Sequence, residues 1–274
     1  MIRADASHRP ALEAALGKRP ELAMFPLANL GRYGLSGGHP RATTFWLDDA
    51  DVPTAILGVT EEGMVLPLWS DGFDPARAVP LLRGRALMGL AGPAGPVRAL
   101  MAVADLADAP CRLAEDEPQF LLDLAALSVP DGLGALAPIT AHKDIAVALR
   151  RAYIEELHLP GEDDDQSVRD VESWIEADSH RFLMIDGAPA ALTGFNATLP
   201  QIVQVGGVYT PPDTRGRGLA RRAVALHLAK ARQAEVARAT LFAASEAAVA
   251  CYRPLGFERI GEYALILFDG KVTP

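Results

Sequence analysis

The chain has 274 residues, half of them apolar and 22% charged, with a formal charge of −9. That length exceeds what one compact core needs, so two domains are expected, and the acidic total argues against a general nucleic-acid binder. No run approaches the 18 apolar residues of a membrane span, the opening MIRADASHRP lacks the apolar core of a signal peptide, and Cys111 and Cys251 are too few for a disulfide framework or a zinc set, so a cytoplasmic protein without metal is expected.

From Ala11 a short helical stretch leads into MFPLANLGRYGLSG, which reads as ordered but irregular. Ala42 to Leu47 and Ala55 to Leu68 follow as strands, the second split by Glu61-Glu62-Gly63 into a hairpin. Asp74 and Pro75 then read as the N-cap and first position of a helix with Ala78, Leu81 and Leu82 inward. RALMGLAGPAGPVRALMAV repeats an order of strand, Gly/Pro-rich turn and helix, and the segment Ser128–Pro138 is the best linker. These bounds give an N-terminal α/β domain over residues 1–127 and a second domain over 135–274.

Thr140 starts a helix through about Leu157, with Ile145, Leu149, Ala152 and Tyr153 at helical spacing; HLPGEDDDQS is an acidic loop, and Val168 to Ala177 a second helix. Arg181–Ile185 and Ala190–Thr198 are strands about the tight turn Asp186-Gly187, and QIVQVGGVYTPPDTRGRGLA supplies the third strand of a meander. Paired Gly206 and Gly207 interrupt that strand where a bulge or splay is expected. Pro211 and Pro212 end its pairing, and Arg215-Gly216-Arg217-Gly218 lead into a helix from Leu219 to about Val236. Ala239–Ala243 returns as a strand, Ser245 begins a short helix through Tyr252, and Gly261–Phe268 closes the sheet.

Glycines at a helix N-terminus leave unpaired N–H groups, which with Arg215, Arg217, Arg221 and Arg222 suit a phosphate or pyrophosphate. Seven Lys or Arg stand against two acids between Asp213 and Arg238, so positive charge is concentrated there. Neither a Walker-type loop nor a dinucleotide fingerprint is present. The segment resembles instead the pyrophosphate motif [RQ]-x-x-G-x-[GA] of the GNAT superfamily of acyl-CoA-dependent N-acyltransferases, through Arg215, Gly218 and Ala220. SEAAVACYRPLGF resembles the later motif of that family through Ala248, Tyr252, Gly256 and Phe257, with Ser245 in place of the usual Asn. The order of helices and strands fits that fold over about 135 residues, and the N-terminal half reads as a degenerate copy or an unrelated α/β lid.

The resemblance implies an acetyl-CoA-dependent N-acetyltransferase acting by direct attack of an amine in a ternary complex, with acetyl-CoA as cosubstrate and a small-molecule, peptide or protein amine as acceptor. It implies contacts to acetyl-CoA from Val208, Tyr209, Thr210, Arg215, Gly216, Arg217, Gly218, Leu219, Ala220 and Ser245, with Gly206 and Gly207 making room for the pantetheine arm. A backbone N–H near Val208 would stabilise the oxyanion, and Tyr252 holds the position of the general acid, against a simple packing role behind Phe257. Gln201 and Gln204 stand where a basic Glu is often found, so no base is assigned among His142, His158, His180, His227 and Glu155, and Asn196 could orient the amine or a water or simply face solvent. The acids Glu162 to Asp165 could draw a cationic amine or merely favour the start of a helix. A non-catalytic acyl-CoA sensor is the alternative; a nucleic-acid clamp built on Arg215 to Arg222 lacks interleaved aromatics.

Overall fold

The computed structural model describes residues 1–156 and 164–274. Two compact units divide the chain, one made of 1–118 and 261–274, the other of 119–260. The first begins with strand β1 (Ile2–Arg3), helices α1 (Arg9–Gly17) and α2 (Met24–Tyr33), and strands β2 (Thr43–Leu47), β3 (Ala55–Thr60) and β4 (Met64–Trp69). It continues through helix α3 (Val79–Leu82), strand β5 (Leu87–Pro93), helix α4 (Ala94–Val103) and strand β6 (Cys111–Asp123).

The same succession then repeats. Strand β7 (Ala135–Pro138), helices α5 (Lys143–Glu156) and α6 (Asp164–Glu176), and strands β8 (His180–Ile185), β9 (Ala188–Leu199) and β10 (Ile202–Tyr209) precede helix α7 (Leu219–Gln233), strand β11 (Arg238–Phe242), helix α8 (Glu246–Tyr252) and strand β12 (Glu258–Val272). In both copies the sixth and eighth elements are parallel neighbours, β4 with β5 and β10 with β11, while the meander before them is antiparallel.

Alternation places the two cores of each unit. Along β2, Phe45 and Leu47 face Leu12, Leu16 and Leu30 of α1 and α2, while Trp46 faces Leu82 of α3 and Val97 and Leu100 of α4. In the second unit Phe182, Leu192 and Tyr209 meet Ala146, Val147 and Val171 of α5 and α6. On the opposite face Val203, Val205 and Leu241 meet Val224 and Leu228 of α7 and Tyr252 of α8. Each unit is thus a sheet between two helical layers.

Four expectations change. The closing strand does not complete the sheet of its own repeat: Tyr263 to Leu267 pair antiparallel with Pro93 to Gly89 in the first unit. Beside β11 stands β6 instead, with Asp123↔Arg238 to Gln119↔Phe242, and Phe120 and Leu122 fill that core. Residues 119–127 therefore belong with the second unit, hidden in sequence by the polar run Ala114–Pro118 at the start of the same strand. Ala135–Pro138, expected within the linker, is a strand paired with β8. Met24–Tyr33, expected to be irregular, is helical with Met24, Pro26 and Leu30 inward, since a proline in the first turn costs no internal hydrogen bond.

The fourth change concerns the internal repeat. GLAGPAGPVRAL runs through β5 into α4, so its counterpart is β11 and α8, not the arginine-glycine loop. The position equivalent to that loop lies between β4 and α3, where Asp74 turns its own carboxylate onto the Ala76 N–H at 3.0 Å. An acidic side chain thus occupies the place an external anion would take.

Two buried histidines carry a stability cost in acid. His180 and His227 are 1% and 3% exposed. Burial, with help from nearby cationic side chains, holds His180 well below its usual range and His227 down at about 3. The folded state therefore keeps both neutral while the unfolded chain takes up protons below about 6.5, so stability is full above that pH and declines on acidification toward 3. His227 is expected to withdraw about 2 kcal/mol by pH 5, and His180 adds a cost of the same sign. Urea unfolding at pH 7.5 and pH 5 measures this; equal midpoints at the two pH values would contradict it.

Candidate active site

The β10 strand leaves its neighbours in the middle. Pairing with β11 ends at Gln204↔Thr240, and on the β9 side the register runs from Gly206↔Gly194 straight to Tyr209↔Leu192. Gly207 and Val208 therefore stand in a bulge, Gly207 with a φ of +63°. Between the diverging strands lies a cleft of about 560 Å³, bordered on one side by Val205 to Thr210 and on the other by Phe242, Ala244 and Ser245. That volume lies in the ordinary range of small-molecule sites.

The first unit has no such opening at the equivalent place. Pairing of β4 with β5 stops at Val65↔Leu90, yet a Cβ on Gly92 would lie only 2.9 Å from the Pro67 carbonyl oxygen, so the two strands remain in contact where β10 and β11 part.

At its far end the cleft meets the N-terminus of α7. Gly216 and Gly218 have φ of +75° and +74°, and Gly218 is the N-cap, contributing no side chain to the first turn. The leading N–H groups of a helix have no intrahelical acceptor and carry the positive end of its dipole. Thr210 Oγ1, buried and without a hydrogen-bond partner, lines the same cleft. A buried hydroxyl in that state is costly unless a ligand completes it.

Of the expected contact residues, Val208, Tyr209, Thr210, Arg215, Gly216, Gly218, Leu219, Ala220 and Ser245 all line the cleft, and so does Tyr252. Arg217 is exposed and is not among the lining residues. The four arginines also divide their work differently from the expectation of a common anion clamp. Arg215 donates through Nη1 and Nη2 to both carboxylate oxygens of Glu156, at 2.7 and 2.6 Å, and through Nε to the Thr210 carbonyl at 2.9 Å.

Arg221 donates to the carbonyls of Ala250 and Cys251, tying the last turn of α8 to α7, and Arg222 donates to the Pro130 carbonyl. Guanidinium groups suit such multi-point docking through their planar fork of donors.

Glu156 was not anticipated. It ends α5, and its Oε2 also accepts from the Tyr209 hydroxyl at 3.2 Å. The Arg215 guanidinium holds the Glu156 carboxyl below the usual range, whereas burial, then the Glu156 contact, raises the Tyr209 phenol. Position in sequence gave no sign of this pair because 59 residues separate its members.

Ser245 also has a more local role than expected: its Oγ accepts the Ala248 N–H at 3.2 Å, as an N-cap of α8. Capped at one end and held by Arg221 at the other, α8 fixes Tyr252, 8% exposed and edge-on to Phe257 at 6.1 Å between centroids.

The glycines of the bulge make room for protein side chains. A Cβ on Gly206 would lie 1.9 Å from Asn196 Nδ2, one on Gly207 2.7 Å from His180 Nε2, and one on Gly194 2.1 Å from the same imidazole. Glycine is required by Asn196 and His180 at those positions, where sequence reasoning assigned the space to a pantetheine arm. Of the other candidate bases, Glu155 is exposed on α5 and His142 lies edge-on to Phe182 at 6.3 Å, both away from the cleft lining. His227 stacks on Phe195 at 3.9 Å. His158, Glu162 and Asp163 lie outside the described residues.

Comparison with known proteins fits this geometry. Residues 146–257 match the model of the Acetyltransferase (GNAT) family. The chain carries a GNAT domain. The match begins within α5 and ends just after Gly256, so it takes in the bulge, the arginine-glycine loop and Tyr252. A curated mycothiol acetyltransferase from Kytococcus sedentarius is 31% identical over 148 residues, 50% of this chain and 49% of that protein. The chain thus spans about half the length of that relative.

Two solved structures resemble it over nearly their full length. A Drosophila protein is 13% identical with a TM-score of 0.68, covering 97% of this chain and 98% of that one. A tandem GNAT protein from the clavulanic acid biosynthesis pathway is 17% identical with a TM-score of 0.58, covering 100% and 98%. At such identities the likeness is one of fold, and it agrees with the repeated order of elements seen in the two GNAT-like units. No described helix is long and apolar enough to cross a membrane.

Proposed function

We propose that the protein is an acetyl-CoA-dependent N-acetyltransferase whose reaction takes place in the cleft between β10 and β11. One observation carries this: a splayed, glycine-broken strand runs directly into the uncapped N-terminus of α7. The two halves of that cleft fit the two halves of the cosubstrate. The pyrophosphate sits on the α7 N-terminus, where N–H groups and dipole favour an anion. The pantetheine arm lies along Val205 to Tyr209 as an added strand. Glu156 holds Arg215 in place beside the phosphates and leaves the exposed Arg217 to approach them from solvent.

With the arm so placed, the thioester carbonyl faces the bulge, and a backbone N–H near Val208 stabilises the oxyanion as the amine adds. Tyr252, held by the capped and arginine-tied α8, gives its proton to the departing thiolate. The acceptor is an amine. Mass-spectrometric screening of amine mixtures with acetyl-CoA and the pure protein tests the reading. At least one amine is expected to gain an acetyl group with stoichiometric release of CoA; acetyl-CoA binding without any transfer would instead favour an acyl-CoA sensor.

The first unit is assigned no acyl-CoA. Contact between Pro67 and Gly92 and the carboxylate of Asp74 at the equivalent turn support this. Calorimetric titration with acetyl-CoA is expected to give one site per chain, and two sites would contradict it.

A further inference from the structure

His180 lies beside the bulge with one ring nitrogen held and the other buried without a hydrogen-bond partner. Its ring is 1% exposed and lies flat on Trp174, 3.8 Å between centroids with 10° between planes. Ser179 Oγ stands 2.8 Å from Nδ1 and itself donates to the Trp174 carbonyl at 3.4 Å. The tautomer with the proton on Nδ1, donated to Oγ, is the one that leaves Nε2 with its lone pair. Nε2 is buried and has no hydrogen-bond partner. A histidine whose one nitrogen is oriented by a third group, leaving the other as a base, is the arrangement general-base catalysis uses.

The direction of that lone pair matters equally. Nε2 would lie 2.7 Å from a Cβ on Gly207, and Gly207 lines the cleft at the centre of the bulge. His180 is not itself among the cleft-lining residues; Gly207, which has no side chain, lines the cleft and lies against its Nε2. Resting on the acetyltransferase reading above, we propose that His180 accepts the proton of the acceptor amine. As the amine nitrogen bonds to the acyl carbon, its proton passes to Nε2; the C–S bond breaks, and the thiolate takes the Tyr252 proton. His180 then returns its proton to Tyr252 through solvent, so that one amide and one free thiol are formed with no net proton consumed.

Burial first, then His227 on α7, Arg150 on α5 and neighbouring Arg181, disfavour the charged imidazolium, so the ring rests neutral and would hold a proton only transiently. Asn196, its amide packed over Gly206, stands ready to orient the amine on the same strand bulge.

Nitrogen-15 NMR of histidines in the full chain tests the resting state without depending on turnover. A neutral ring with the proton on Nδ1 at pH 7 is expected, its signals shifting when acetyl-CoA is added; a proton on Nε2 or a charged ring would overturn the proposal. His180→Gln and His180→Asn, assayed with the amine that the screen returns, should lose about 10²-fold or more in kcat while binding acetyl-CoA within about threefold of wild type. Wild type and variants alike need the free amine, so the split between kcat and acetyl-CoA binding is the deciding readout: kcat within about threefold of wild type, or a loss matched by an equal loss of acetyl-CoA affinity, would end the proposal.

Should those variants melt early, Ser179→Ala keeps the imidazole and removes its orienting partner: a shift toward the Nε2–H form with a roughly tenfold lower kcat is expected, and unchanged kcat would count against His180. Failure of wild type to bind acetyl-CoA in calorimetry marks failure of the acetyltransferase reading instead.

Discussion

Gly218→Asp is expected to weaken acetyl-CoA binding by about 10²-fold or more in a protein that still folds. The position has room: a Cβ there would meet nothing within 4 Å, and Asp is among the residues that best tolerate the left-handed conformation Gly218 adopts. As an N-cap, the new carboxylate should even satisfy one of the first N–H groups of α7. That is the reason binding fails. The pyrophosphate would meet a negative charge on donors already engaged, losing charge-assisted hydrogen bonds worth about 1.5–3 kcal/mol each.

The first unit shows the same arrangement made by its own sequence, with Asp74 on the Ala76 N–H. Gly218→Ala serves as the control, because it adds the backbone strain of about 1 kcal/mol without the charge and should bind only severalfold more weakly. Calorimetry reads both, and Gly218→Asp binding as wild type would remove the anion site from α7.

Much of the catalytic unit was legible because its signals are local. The Gly206-Gly207 interruption, Pro211-Pro212 and the arginine-glycine run all act within a few residues, and the bulge, the end of pairing and the start of α7 fall at those places. What could not be read depends on distant pairing. Nothing in the apolar pattern of Glu258–Val272 states which sheet it joins, because strand partners are chosen by side-chain fit across the ladder and both exchanged strands carry suitable faces.

Arg215 illustrates the same limit within the site. The family pattern gives the residue but not its partner, and Glu156 reaches it only once α5 has folded beside β10. His180 could be named as one of several histidines, yet its distinction comes from two glycines, Gly194 and Gly207, on two other strands and a stacking partner on α6. The repeat in the first half was visible as a shape but displaced by two elements, since Gly and Pro mark turns in general and a carboxylate had replaced the glycines at the true counterpart.

Tyr252→Phe is expected to lower kcat by about 10²- to 10⁴-fold while acetyl-CoA affinity stays nearly unchanged. The substitution removes one oxygen and keeps the ring that packs against Phe257 and closes the core beside Leu255, so stability should change little. The position is held from both sides, by the Ser245 cap at the start of α8 and by Arg221 on the Ala250 and Cys251 carbonyls at its end. A hydroxyl so fixed at the cleft wall can meet the sulfur as the C–S bond lengthens and donate its proton to the departing thiolate. Without it, protonation falls to water, which is neither held nor aimed. Turnover of the variant within about threefold of wild type would assign Tyr252 to packing and move the acid elsewhere.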